Sequence, residues 1–214
     1  MSDGVGSFIA FEGVEGSGKS THVTLVAERL REAGIEPVVT REPGGTPAGE
    51  AIREVVLRKE YALEPTAELF LMLAARSAFV SEVVRPALAA GRVVLADRYE
   101  LSTFAYQGGG RQLPLDRIKE VNRLATGGLR PHLTVLLDID PQEGRARRRE
   151  AAGDRIESED VRFHERVAEA YRQLATQEPD VAVVDGRAEI DRVHAAVWRV
   201  LSSRFPETFS SPGC

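Results

Sequence analysis

An apolar run, Phe8-Ile9-Ala10-Phe11, passes almost directly into Gly13-Val14-Glu15-Gly16-Ser17-Gly18-Lys19-Ser20. No other stretch restricts the fold of this chain so strongly. The glycines let the backbone wind until several N–H groups point at one anion. A helix beginning just after them adds the positive end of its dipole. Lys19 supplies a mobile full charge for outer phosphates, and Ser20 a hydroxyl suited to a magnesium ion. The spacing is that of a P-loop, which needs a buried strand before it and a helix after it. Both are present. Four apolar residues precede the loop, and Val23, Val26, Ala27 and Leu30 follow at helical spacing until Gly34 ends the pattern. A solvated glycine-rich turn would need neither flank. Gly13, Val14, Glu15, Gly16, Ser17, Gly18, Lys19, Ser20 and Thr21 are therefore candidate contacts of a nucleoside triphosphate.

The same strand–helix alternation continues. Short apolar runs at 36–40, 92–97, 132–140 and 181–185 read as four more strands. Helical spacing is expected over 19–33, 48–57, 65–88, 115–125, 161–176 and 188–201, with a further helix starting at Pro141 behind an Asp140 cap. Five apolar strands separated by helices imply an α/β fold of the P-loop NTPase type: a five-stranded parallel sheet flanked by helices, in one domain over 1–214. Gly108–Gly110 reads as a flexible loop, and 202–214 as a frayed, disordered tail.

Bulk properties exclude several classes. The net charge is 28 − 33 = −5, which argues against a grip on nucleic-acid backbone. The single cysteine, Cys214, allows neither an internal disulfide nor a zinc cluster, and fits a reducing cytoplasm. No basic leader is evident, and no apolar run approaches the ~18 residues of a membrane span.

The P-loop alone leaves a GTP switch, an ATPase motor and a small-molecule kinase open. In a parallel sheet the ligands lie beyond the carboxyl ends of the strands. Glu12 and Asp97 end two of the strands and are candidates for the metal region. Arg41, Glu42 and Arg98 reach the same rim. Arg98 there is either a phosphate ligand or half of a surface ion pair. Arg145, Arg147, Arg148, Arg149 and Arg155 crowd one short segment. They form either a solvated basic face or a lid, about 144–157, that carries an arginine to a transferring phosphoryl group.

One family shows these features in the same order. The P-loop with Glu15, "TREPGGT" (40–46), "LAAR" (73–76), "DRY" (97–99), "LSTFAYQGGGR" (101–111), "RPHLTVLLDI" (130–139) and "DRIE" (154–157) together resemble bacterial thymidylate kinases over about 8–201. The resemblance implies ATP-dependent phosphorylation of dTMP to dTDP with Mg²⁺, in a homodimer. It implies that Glu15 faces the 3′-hydroxyl of the acceptor sugar, that Glu42 and Pro43 border the acceptor phosphate, and that Arg53 and Arg98 clamp it. Arg76 then donates to the thymine carbonyl, Thr103 and Gln107 meet the base edge, and Tyr106 crowds out a ribose 2′-hydroxyl. Asp97 would organise the metal's water and Arg98. The family usually has a phenylalanine stacking on thymine four residues before the "LAAR" arginine. Met72 stands there instead, and its polarizable sulfur suits a ring face. Where some members carry a catalytic arginine in the P-loop, this chain has Gly16, which leaves the role to the lid. A kinase for another nucleotide or deoxynucleoside is the alternative. A GTP switch would want an N-K-x-D segment, but the chain's one asparagine is Asn122 in "EVNRL".

Overall fold

The computed structural model describes residues 6–147 and 153–209. Five strands, β1 (Phe8–Glu12), β2 (Val38–Arg41), β3 (Val94–Asp97), β4 (Leu133–Asp138) and β5 (Val181–Asp185), form one parallel sheet in the order β2-β3-β1-β4-β5. Successive side chains of a strand face opposite sides. Ile9 and Phe11 therefore join α1 (Lys19–Glu32) and α9 (Ile190–Arg204) through Val26, Leu30, Val197 and Leu201. Phe8 and Ala10 face Phe79, Val84 and Tyr99 on the other side. Apolar residues on both faces explain why β1 reads as an unbroken apolar run rather than an alternating one.

The second face is covered by α3 (Pro65–Phe79), α6 (Leu115–Thr126) and α8 (Val161–Gln177). The expected long helix is continuous. α3 passes through a π-helical turn, Val80–Val84, into α4 (Arg85–Ala89). Smaller helices complete the chain: α2 (Pro47–Leu57), α5 (Glu100–Thr103), α7 (Pro141–Arg147) and α10 (Pro206–Phe209).

Two expectations are corrected. Gly108–Gly110 is not a flexible loop but the end of a π-helical segment, Phe104–Gly110, that extends α5. A Cβ on Gly109 would sit 2.4 Å from the Ala170 Cβ, and one on Gly110 2.5 Å from the Phe163 ring. These glycines thus let the segment lie against α8, which no local pattern announces. The chain from Ser202 to Phe209 is also ordered. α9 runs to Arg204, and α10 delivers Phe209 into the core, edge-on to Trp198. Residues 210–214 lie outside the described residues.

The parallel register aligns the carboxyl ends of the strands. Asp97 pairs with Phe11 on one side and Arg41 on the other. Glu12, Arg41, Asp97 and the P-loop therefore share one rim, at the point where the chain departs from β1 toward both neighbours.

Candidate active site

Gly18, with φ +93°, turns the loop into α1. Lys19 folds back over it, its Nζ donating to the carbonyls of Gly13 (3.1 Å) and Val14 (2.9 Å). Burial, then the nearby Arg98, lower the Lys19 ammonium to about 8. Ser20 Oγ donates to Asp97 Oδ2 across the rim. Glu15–His22 lines a cavity of about 600 Å³, together with Asp97, Arg98, Arg53 and the segment after β5. Ala188, Ile190 and Val193 add apolar side chains to its lining. The Val14 side chain lies elsewhere, in the core with Leu136 and Ile139.

A second, narrower cavity opens beside the first. It is lined by Pro43, Met72, Ser102, Tyr106, Gln107 and Ile156 among others. Glu15, Glu42, Arg53, Arg98, Asp154 and Glu157 line both cavities, so the two meet at a pair of arginines. Arg98 adopts φ +77°, unusual for a residue with a Cβ. Its guanidinium is held by Gly13 O (3.1 Å), Ser102 Oγ (3.0 Å) and the Tyr171 hydroxyl (3.2 Å), and it pairs with Glu15 and the Tyr106 hydroxyl. Arg53 donates to Pro43 O (3.0 Å).

Glu12 explains how Arg98 is kept there. Its fully buried carboxylate accepts from the Tyr99 and Ser102 amides (2.8 and 3.0 Å) and from the Ser102 and Tyr171 hydroxyls (2.6 and 2.9 Å). It anchors the start of α5 and two partners of Arg98. Four donors occupy it, so the metal role considered from sequence does not suit it.

Arg76 and Thr103 stand behind the cavity wall and do not line it. Arg76 is buried, and its five N–H groups meet Glu42 (through Nε and Nη2), Thr103 Oγ1, Asn122 Oδ1 and Tyr99 O. Burial lifts the Glu42 carboxyl, and the Arg76 guanidinium pulls it back. Met72 does line the second cavity. Neither nearby phenylalanine replaces it: Phe70 points to solvent, and Phe79 is in the core.

The arginine-rich segment separates into distinct roles. A Cβ on Gly16 would lie 2.0 Å from the Gly144 carbonyl oxygen, so α7 packs directly on the P-loop and leaves no space for an arginine at 16. Arg147 lines the large cavity and bonds to Gly186 O (2.8 Å), Arg187 O (3.2 Å) and Glu143 (2.8 Å). Arg145 turns to Glu159 O. Arg155 lines neither cavity. Its Nε donates to Val56 O (2.8 Å) and its Nη2 to Glu68 (2.6 Å). Arg148 and Arg149 lie outside the described residues.

Sequence reasoning missed Ser102, Ile156, Glu157 and the residues after β5. The strand-end rule that found Asp97 could have flagged Gly186 and Ala188, since they follow the carboxyl end of β5.

The thymidylate kinase family model matches residues 11–197. The chain is 47% identical to a thymidylate kinase of Deinococcus radiodurans, covering 93% of this chain and 98% of that one. It is 48% identical to one of Thermomicrobium roseum, covering 96% and 99%. A crystal structure of thymidylate kinase from Ehrlichia chaffeensis superposes with a TM-score of 0.74 at 32% identity, covering 92% and 98%.

Proposed function

The chain belongs to the thymidylate kinase family, and from that premise we propose how its own residues transfer the γ-phosphoryl of ATP to dTMP. One observation carries the assignment: two cavities, one on the P-loop, meet at Arg53 and Arg98. A switch or a hydrolase needs one nucleotide site, whereas a phosphotransferase needs a donor and an acceptor whose phosphates touch.

ATP occupies the larger cavity. Its outer phosphates replace the Gly13 and Val14 carbonyls as partners of Lys19, and its base lies near Ile190 and Val193. dTMP occupies the second. Its phosphate lies between Arg53 and Arg98, its sugar near Glu15 and Tyr106, and its base between Met72 and Gln107. Burial and the neighbouring Arg41 already disfavour the charged form of Arg53, which an incoming phosphate would favour. The attacking oxygen of dTMP is anionic, so no strong general base is required. Catalysis is alignment plus charge neutralisation. Arg147 is the described lid arginine placed to reach the donor phosphates. Arg76 supports the site from behind by holding Glu42.

Ser20 and Asp97 fit a magnesium ion, because both offer hard oxygen donors on the cavity rim. Among the described residues no group of three acidic, histidine or cysteine side chains converges, so the ion would take most of its ligands from phosphate and water. When bound, it neutralises charge on the transferring phosphoryl. Among the described residues no helix is long and apolar enough to cross a membrane; with the lone cysteine, we assign the protein to the cytoplasm. A homodimer is supported by Val55, Phe70 and Leu124, large exposed apolar side chains on α2, α3 and α6. Light scattering of wild type and Phe70→Asp tests it.

The decisive assay is ADP release with Mg-ATP and a panel of dTMP, dUMP, dCMP, UMP, AMP, GMP and thymidine. Strong turnover with dTMP and none with thymidine is expected. Acceptor-independent hydrolysis that the panel leaves unchanged would discard the kinase. Arg98→Ala should raise the KM for dTMP far more than that for ATP, and Lys19→Ala should abolish turnover with the fold intact.

A further inference from the structure

Glu68 is a buried carboxylate on α3, outside both cavities. Four donors from two separate segments converge on it. Gln107 Nε2 reaches Oε1 at 2.7 Å, and Arg111 reaches Oε1 with Nε (3.2 Å) and Oε2 with Nη2 (3.0 Å). Arg155 Nη2 reaches Oε2 at 2.6 Å. Burial pushes the Glu68 carboxyl up, but the hydrogen bonds from Arg111 and Gln107 outweigh it and hold the group below its ordinary range.

An ionised carboxylate has only acceptors, so a 2.7 Å contact requires the Gln107 amide to present its nitrogen to Glu68. The amide is thereby fixed, and Oε1 becomes the edge left over. That oxygen is buried without a partner among the described residues, in a residue that lines the acceptor cavity. A buried acceptor with no donor favours a ligand that brings one. Thymine and uracil carry N3–H, whereas cytosine has a lone pair at N3.

We propose that Glu68 is a positioning residue that couples two functions: it locks Gln107 to accept from a pyrimidine N3–H, and it seats the turn at 154–157 by receiving Arg155. Arg155 is then the fastener of that turn, not an arginine on the phosphates. Its main-chain N–H, bonded to Leu57 O (3.0 Å), and its Nε on Val56 O fasten the same turn to the end of α2. Ile156 and Glu157, the next two residues, line the acceptor cavity. Fastening this turn therefore fixes part of the wall around the base whose edge Gln107 reads.

This rests on the dTMP kinase assignment, and the test separates the two. The value of kcat/KM is measured for dTMP and dCMP at saturating ATP with wild type, Glu68→Gln, Arg155→Met and the double variant. If wild type does not prefer dTMP, the assignment itself fails. Given that preference, Glu68→Gln frees the Gln107 amide to turn, and the dTMP:dCMP ratio should fall about tenfold or more. Arg155→Met should act mainly on the KM for dTMP and cost nothing further once Glu68 is replaced. A ratio in Glu68→Gln within about twofold of wild type overturns the proposal. So does an Arg155→Met loss confined to kcat and the same in both Glu68 backgrounds, because that is the signature of an arginine on the phosphates. Folding is checked by circular dichroism. If Glu68→Gln does not fold, Arg155→Met decides alone through its split between KM and kcat, since it leaves Glu68 paired with Arg111.

Discussion

Replacing Lys19 with methionine should make the ligand-free protein more stable while removing its activity. The ammonium is buried, and it is lowered from 10.5 to about 8, first by burial and then by Arg98. At about 1.4 kcal/mol per pH unit, keeping that charge in the empty loop costs about 3 kcal/mol. Methionine fills similar space without charge. It forfeits two hydrogen bonds, to Gly13 O and Val14 O, each contributing about 1 kcal/mol. Both carbonyls keep another donor, Arg98 Nη1 and the Ser17 amide, so neither is stranded. The net gain at pH 7 is about 1–2 kcal/mol, or roughly 3–6 °C in Tm for a chain of this size. The sign with pH follows from linkage. A lysine lowered by folding carries fewer protons folded than unfolded between about 8 and 10.5. Wild-type stability should therefore rise through that window relative to Lys19→Met, and the advantage of the variant should shrink. Urea unfolding of both proteins at pH 7, 8, 9 and 10 measures it. A variant less stable than wild type at pH 7, or a difference that does not move with pH, would refute the burial argument. Saturating Mg-ATP should reverse the order, because phosphates supply the counter-charge that the empty loop lacks.

Three further outcomes follow from the packing. Arg98→Gly should unfold at higher denaturant than Arg98→Ala, by about 1 kcal/mol, because φ is +77° at this position and only glycine adopts it freely; equal stabilities would show that the backbone relaxes once the side chain is gone. Gly109→Ala places a Cβ 2.4 Å from Ala170. It should cost about 1–3 kcal/mol in denaturant unfolding and raise the KM for dTMP, since Tyr106 and Gln107 ride on the same segment. Phe209→Ala should cost about 3 kcal/mol or more in the same assay, as expected for a fully buried phenylalanine packed on Trp198 and Phe205. A loss below 1 kcal/mol would return α10 to the status of a loose tail.

From sequence alone, the frame and the P-loop were readable. The three central strands, β1, β3 and β4, are buried on both faces and so read as near-unbroken apolar runs. The half-exposed edge strands, β2 and β5, are still short valine-rich runs, and the alternation of all five with helices dictated a parallel sheet. The P-loop was legible because its requirements are local: glycines where the backbone must turn, a lysine and a hydroxyl at set spacing, and a strand and a helix on either side. Strand ends then named Asp97, Glu42 and Arg98 as neighbours of that loop. Where each arginine lies came from packing between distant elements. Arg53 and Arg98 face the junction of the cavities, Arg76 turns into a buried cage, and Arg155 reaches Glu68, 87 positions away in the chain. The glycines at 108–110 and the phenylalanine at 209 were misread for the same reason. A guanidinium, a glycine or a terminal ring has no fixed destination in local pattern. It goes where a distant carboxylate, a crossing helix or an open place in the core lets its charge be paired or its surface be buried.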